Sequence, residues 1–231
     1  MTALDTKRTS ALSIGLGFVA GYVDTVGFVA LFGLFTAHVT GNFVLIGSVL
    51  AHSSGTVQLK LLVFPAFVGA IALARMIALW LERREHPVLR ALLLLQTLFL
   101  IGFMLLGWMA SPIRNENAPL IMWAGLFGAA GMGVQNATAR LLLGTLAPTT
   151  AMTGNVTQLV IDVMDIVRGA GTDAIRERSI KFVWPIVAFA LGAIIGAFGY
   201  VYFAFPALLM PIAMLVAMAL QSAPAHGSVV T

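Results

Sequence analysis

The sequence predicts an all-α integral membrane protein with six transmembrane helices and two re-entrant half-helices, arranged as two inverted repeats. Three observations predict it: an apolar composition, a polar phrase that recurs in each half, and the placement of the basic residues. Of the 231 residues, 60% are hydrophobic and 10% charged, whereas soluble domains carry roughly 25% charged residues. The mean hydropathy is +0.99. The net charge of +4 comes from basic residues clustered in short loops between apolar runs, the pattern that orients a chain in a bilayer, so no nucleic-acid function is needed to explain it. The absence of cysteine excludes disulfides, thiol catalysis and Cys-ligated metal.

The elements follow in order. The first apolar run, 11–33, comes after Lys7 and Arg8 but contains Asp24. It outruns a signal-peptide core and lacks a convincing cleavage site, so it reads as an uncleaved first span. The second run, 42–51, has ten residues; as a helix it rises about 15 Å, half of a ~30 Å hydrocarbon core. It cannot span alone and reads as a re-entrant half-helix. Runs 61–82, 88–110 and 119–143 are long enough to span. Run 155–168 carries Gln158, Asp162 and Asp165 and is assigned the re-entrant role again. Runs 182–203 and 206–221 complete the set, and Ser222 to Thr231 reads as a disordered tail.

Charge placement tests this assignment. With six spans and the N-terminus inside, only Lys60 and Arg114 of the 13 Lys and Arg residues fall outside; if all eight runs spanned, five would. The six-span arrangement puts both termini in the cytoplasm.

The whole chain, 1–231, then forms one membrane domain with repeats at 11–110 and 119–221. Three spans per repeat insert the halves with opposite orientation, so a pseudo-two-fold axis lies in the membrane plane. The first span of each repeat is glycine-rich, with Gly15, Gly17, Gly21, Gly27 and Gly33 in one and Gly125, Gly128, Gly131, Gly133 and Gly144 in the other. Small residues let helices approach closely in lipid. Gly69 and Gly192, with Pro65 and Pro185 upstream, correspond more weakly.

The recurring phrase is Thr36-Ala37-His38-Val39-Thr40-Gly41-Asn42 and Thr149-Thr150-Ala151-Met152-Thr153-Gly154-Asn155. Each copy precedes a predicted half-helix, whose free N–H groups and dipole create positive potential. Thr40, Asn42, Thr153 and Asn155 can cap those helices or donate to a ligand, while Gly41 and Gly154 permit the bend and close approach. Two such ends meeting near the midplane suit an anionic or zwitterionic solute. Capping alone would explain one copy; its duplication at matching positions favours a site.

Asp24 is an intramembrane carboxylate, a candidate proton or sodium relay or else the site of a structural hydrogen bond or ion pair, with Arg140 or Arg75 as candidate partners. Its counterpart in the second half is Gln135 or Asn136. Arg140 either snorkels to the interface or binds a substrate carboxylate; Arg75 reads as snorkelling. His38, two residues before Thr40, has a side chain that titrates near neutral pH, but it reads as a satisfied polar residue, because Ala151 replaces it in the second copy. Four scattered histidines offer no metal-ligand spacing. No nucleophile elbow, zincin motif or phosphate loop is present, so neither enzyme activity nor a cofactor is expected. Trp80, Trp108, Trp123 and Trp184 fall near span ends, as interface anchors do.

The motifs Gly21-Tyr22-Val23-Asp24, Thr40-Gly41-Asn42, Gly131-Met132-Gly133-Val134-Gln135-Asn136 and Met152-Thr153-Gly154-Asn155 resemble the YoaK-like family of bacterial multi-pass inner-membrane proteins of unknown function. The resemblance covers nearly the whole chain and implies a bacterial inner membrane location. It departs at Val134, where the family pattern has methionine, an apolar-for-apolar change. It supplies no substrate.

The residues therefore lead to a secondary transporter of a small anionic or zwitterionic solute. Substrate contacts are expected from Thr40, Gly41, Asn42, Thr153, Gly154, Asn155, Gln135, Asn136 and Arg140, with Asp24 as the coupling-ion residue. A passive channel with paired half-helices and a non-transporting scaffold or sensor are the alternatives. The lipid bilayer is the one certain partner class, and a homodimer suits an inverted-repeat protein of this size.

Overall fold

A computed structural model describes residues 3–52, 57–115, 117–143, 149–150 and 152–222, with side chains from Thr9 onward. The expected loose tail beyond Ser222 lies outside them. The described chain is helical: α1 Ala3–Ala30, α2 Gly41–His52, α3 Gln58–Glu82, α4 Val88–Met109, α5 Pro119–Leu142, α6 Met152–Val167, α7 Asp173–Phe203, a 3-10 turn Phe205–Leu208, and α8 Leu209–Gln221.

Four helices are long and apolar enough to cross a membrane: Thr9–Ala30 of α1, then α3, α4 and α7. The expected fourth and sixth spans, α5 and α8, differ from these in kind. Helix α5 has 24 residues, and every residue from Gly128 to Gln135 is buried. A helix enclosed by protein need not be apolar enough for lipid, so glycine, alanine and amide residues replace the usual leucines. Helix α8 has only 13 residues and is extended by the 3-10 turn before it. Helix α2, with 12 residues, reaches about 18 Å, well short of a bilayer core.

Close glycine packing organises the bundle. A Cβ at Gly17 of α1 would sit 3.0 Å from the Pro185 carbonyl of α7, and one at Gly196 would sit 2.7 Å from that of Tyr22. At Gly21 and Gly192 an added Cβ would overlap the carbonyls of Phe189 and Phe18. The paired residue numbers rise together, so α1 and α7 run parallel with their backbones in contact. Close van der Waals approach of this kind is what joins helices in lipid. The same arrangement recurs between α5 and α3, where a Cβ at Gly133 would lie 2.6 Å from the Phe67 carbonyl. Helix α1 is antiparallel to α5: Leu16 meets Gln135, while Leu31 and Leu34 meet Gly125.

Helix α4 lies antiparallel to α5, with Phe103 against Gly128 and Leu100 against Gly131. Phe205 of the 3-10 turn stacks edge-on against Phe103 at 5.8 Å. Outward positions carry apolar side chains such as Met76, Leu98 and Phe198, and the four tryptophans are all more than half exposed, as lipid-facing and interfacial residues are. Helix α2 packs only on α3, and α6 only on α7, among the helices.

Candidate functional site

Helix α1 ends in a tight reversal. Phe32 and Gly33 adopt left-handed conformations, at φ 53° and 75°, and fold the following loop back over the helix. Lys60 of α3 donates to the Phe32 carbonyl at 3.2 Å and steadies the reversal. The loop lands on Asp24, which is only 4% exposed. One carboxylate oxygen, Oδ1, accepts the backbone N–H groups of Thr36 at 2.7 Å, Ala37 at 2.6 Å and His38 at 3.4 Å. It also accepts the Thr36 hydroxyl at 3.3 Å. The other, Oδ2, lies 2.6 Å from His38 Nδ1.

The partner of Asp24 is thus His38, and neither arginine considered from the sequence reaches it. Asp24 stands near the loop end of α1, whereas Arg140 lies at the far end of the antiparallel α5. Arg140 is exposed and forms no ion pair among the described residues, and Arg75 pairs with Glu82 of its own helix at 3.6 Å. His38 is more than a satisfied polar residue. Its hydrogen bond to Asp24 raises the imidazole above its usual range; burial opposes this, and the Asp24 charge adds to it.

Asn42 has a different task. Its Oδ1 accepts the Phe35 N–H at 3.0 Å and its Nδ2 donates to the Phe35 carbonyl at 2.8 Å. Both ends of a side chain that is 1% exposed therefore close the loop on itself. Thr40 is exposed and Gly41 half-buried, with a Cβ at Gly41 coming within 3.1 Å of the Phe35 ring.

The second half repeats the plan with amides. Gln135, fully buried, accepts from Gln96 Nε2 at 2.7 Å and donates to the Leu16 carbonyl at 2.8 Å. It also reaches Thr149 Oγ1 at 3.4 Å, and Asn136 donates to Thr150 Oγ1 at 2.8 Å. In both halves a polar residue of the leading helix holds the loop 12 to 14 residues further on. Asn155 is buried, with its Nδ2 3.4 Å from Met152 Sδ, while Thr153 and Gly154 are exposed.

The two Thr-Gly-Asn turns do not meet as expected, because α2 and α6 share no contact. Their loops approach the α1–α5 pair at separate levels. Leu16, which touches Gln135, and Asp24 stand about 12 Å apart along α1. Val19, Ala20 and Val23 between them are fully buried. Helix α2 lies beside α3 and α6 beside α7, while Thr36–His38 bond to α1 and Thr149–Thr150 to α5.

Three further polar groups have partners that the sequence reading did not assign. Asp162 of α6, fully buried, receives Arg178 Nε at 2.9 Å and Nη2 at 2.6 Å, with Gln158 Nε2 at 2.8 Å. This fork ties α6 to α7. Gln96 is buried among the leucines of α4, and that lone amide in an apolar run was the available signal. His38 was notable for its place before the turn and for titrating near neutral pH, and neither property points to Asp24.

A cavity of about 610 Å³ opens where α1 and α4 begin and α5 and α8 end; Thr9, Leu12, Leu89, Leu142 and Gln221 are among its lining residues. Leu89 precedes Gln96, and Leu142 follows Gln135, by about two helical turns on the same side. The amide pair therefore lies about 10 Å from these lining residues along α4 and α5. Among the described residues no group of three or more His, Asp or Glu could hold a metal ion.

Apolar helices in close glycine contact, enclosing polar loop clamps, define a multi-pass membrane protein. Residues 12–221 match the family described as Protein of unknown function (DUF1275), and the chain belongs to that family. The UPF0700 transmembrane protein YoaK of Bacillus subtilis (strain 168) is 26% identical over 194 residues, covering 82% of this chain and 83% of that protein. No solved structure matches the chain.

Proposed function

We propose that this protein is a secondary transporter of a small anionic or zwitterionic solute in a bacterial inner membrane. It would work as inverted repeats 11–110 and 119–221 with six crossings and both termini cytoplasmic. Exchanging the halves turns the α1–α7 contact into the α5–α3 contact, and the leading helices α1 and α5 run antiparallel; both support the inverted arrangement.

The observation that carries the proposal is the matched pair of loop clamps, Asp24 on Thr36–His38 and Gln135–Asn136 on Thr149–Thr150. Buried polar groups are costly in a membrane protein and mark solute and ion pathways. The clamps are unequal: Asp24 fills the first loop's N–H groups with the protein's own anion. The solute's negative group is therefore assigned to the second turn, through Thr149, Thr150, Thr153, Gly154 and Asn155 with Gln135 and Asn136. The first turn, Thr40 to Asn42, takes a coupling and positioning role. The cavity suits a small solute and serves as the inward vestibule, with Arg140 two residues before its lining residue Leu142 on α5. Apolar packing between the clamps favours an alternating carrier over an open channel.

The test is a thermal-shift screen of purified protein against amino acids and small carboxylates, comparing wild type with Asn136→Ala/Asn155→Ala. A compound that stabilises wild type alone, and enters proteoliposomes only when wild type is present, supports the reading. Equal stabilisation of both proteins, or a stabilising compound that shows no flux, would remove it.

A further inference from the structure

We infer that the coupling ion is a proton, taken up at His38 Nε2, with Asp24 as its fixed counter-charge; this rests on the transporter reading above. A hard cation needs a shell of oxygen ligands. Among the described residues the contacts of Asp24 are instead all with donors: three backbone N–H groups and the Thr36 hydroxyl on Oδ1, and the imidazole on Oδ2. Sodium would have to displace that whole set from a residue that is 4% exposed. Asp24 is a built-in counter-ion, already enclosed.

His38 has the opposite character. Its side chain is 37% exposed, and its Nδ1 is engaged by Asp24. That contact fixes the neutral tautomer with the hydrogen on Nδ1 and leaves the Nε2 lone pair free to accept a proton. Uptake makes an imidazolium next to a carboxylate, so the loaded pair is neutral overall, which suits a group moving within an apolar body. Release returns the same proton from Nε2, and no other bond changes.

Among the described residues, few groups face His38. Helix α1 contributes Asp24, its own loop contributes Phe35 edge-on at 6.1 Å, and α7 contributes Phe189 edge-on at 5.7 Å. Lys60, from α3, is engaged one turn earlier at the Phe32 carbonyl, and Asp24 is the ion-pair partner. Phe189 links the event to the fold, because its carbonyl is the one that packs on Gly21 in the α1–α7 seam. A charge change at His38 therefore acts directly on the main helix contact of the bundle. The second half has no such pair: Ala151 stands at the matching position and amides replace the carboxylate. One proton per chain and cycle follows.

Two measurements on the purified full chain test this. In the first, ¹⁵N-histidine NMR follows His38 against pH in wild type and Asp24→Asn, in sodium or potassium chloride. The expected result is a reversible His38 titration that moves to lower pH in Asp24→Asn and is the same in both salts. A His38 that does not titrate, or a sodium-dependent shift of it, overturns the inference. In the second, proteoliposomes are offered labelled amino acids and small carboxylates under a pH gradient or a sodium gradient. Accumulation driven by pH in wild type and at least tenfold lower in His38→Gln supports the inference. Sodium-driven accumulation, or pH-driven accumulation unaltered in His38→Gln, defeats it while leaving a transporter. Titration of His38 with no accumulation of any solute defeats the transporter reading, and with it the coupling role. If His38→Gln does not fold, Asp24→Asn carries the same comparison.

Discussion

Gln135 of α5 joins Gln96 of α4 to the Leu16 carbonyl of α1, at 2.7 Å and 2.8 Å, so a single amide bridges three helices. A buried amide that loses its partner costs about 1–3 kcal/mol. Gln135→Leu is expected to destabilise by about that amount, as is Gln96→Leu. The double variant should cost less than the sum, with a coupling of about 0.5–3 kcal/mol. Reversible unfolding in detergent checks it, and strict additivity would mean that the bond contributes nothing.

The helix seams predict a sharp contrast among glycines. Gly192→Ala drives a methyl group into the Phe18 carbonyl and should lower stability by about 1–3 kcal/mol through overpacking. Gly69→Ala, where nothing lies within 4 Å, should be neutral or up to about 1 kcal/mol stabilising, because alanine is the better helix former. Thermal midpoints of the two variants decide the point, and equal values would contradict the seam.

Asn42→Ala frees the N–H and carbonyl of Phe35. The expected cost is about 1–3 kcal/mol of stability, with solute affinity unchanged. Asn136→Ala should do the reverse, weakening affinity more than stability. Ligand titration of both variants by calorimetry separates them.

The fork between Asp162 and Arg178 should respond unequally to its two removals. Asp162 is fully buried and would be left as a charge with only the neutral side chains of Gln158 and Ser179, whereas the Arg178 side chain is 48% exposed and can hydrate. Arg178→Gln should therefore loosen α6 more than Asp162→Asn does. Hydrogen exchange along Met152–Val167 reads the difference.

The Asp24–His38 pair sets a pH dependence. Because the folded imidazole titrates above its ordinary range, its contribution is complete at pH values below that range and is lost as pH rises through the raised value. The thermal midpoint of wild type should fall across that interval relative to His38→Gln. Parallel curves for the two proteins would show that the pair does not form.

Much of this was legible in the sequence because it is written in composition and spacing. Long apolar runs specify membrane helices by the cost of burying an unpaired backbone in lipid, and that needs no knowledge of neighbours. Gly21, Gly133 and Gly192 marked helix contacts because only small residues permit backbone approach. Asp24 and the asparagines of the duplicated turn, Asn42 and Asn155, marked buried polar positions, because such groups are costly in lipid.

Partner choice was decided only in three dimensions. Nothing in the spacing says that the chain reverses at Phe32 and Gly33, and that reversal alone brings His38 rather than an arginine to Asp24. Nor does spacing say that Asn42 turns back on Phe35, or that Gln135 finds Gln96 39 residues away. The low apolarity of α5 has the same origin: its environment is other helices, and which helices surround it is a property of the packed bundle. A sequence determines which groups must leave water, whereas the tertiary structure determines which groups they meet, because hydrogen bonds act over a few ångströms and the chain brings distant residues within that range only once it is folded.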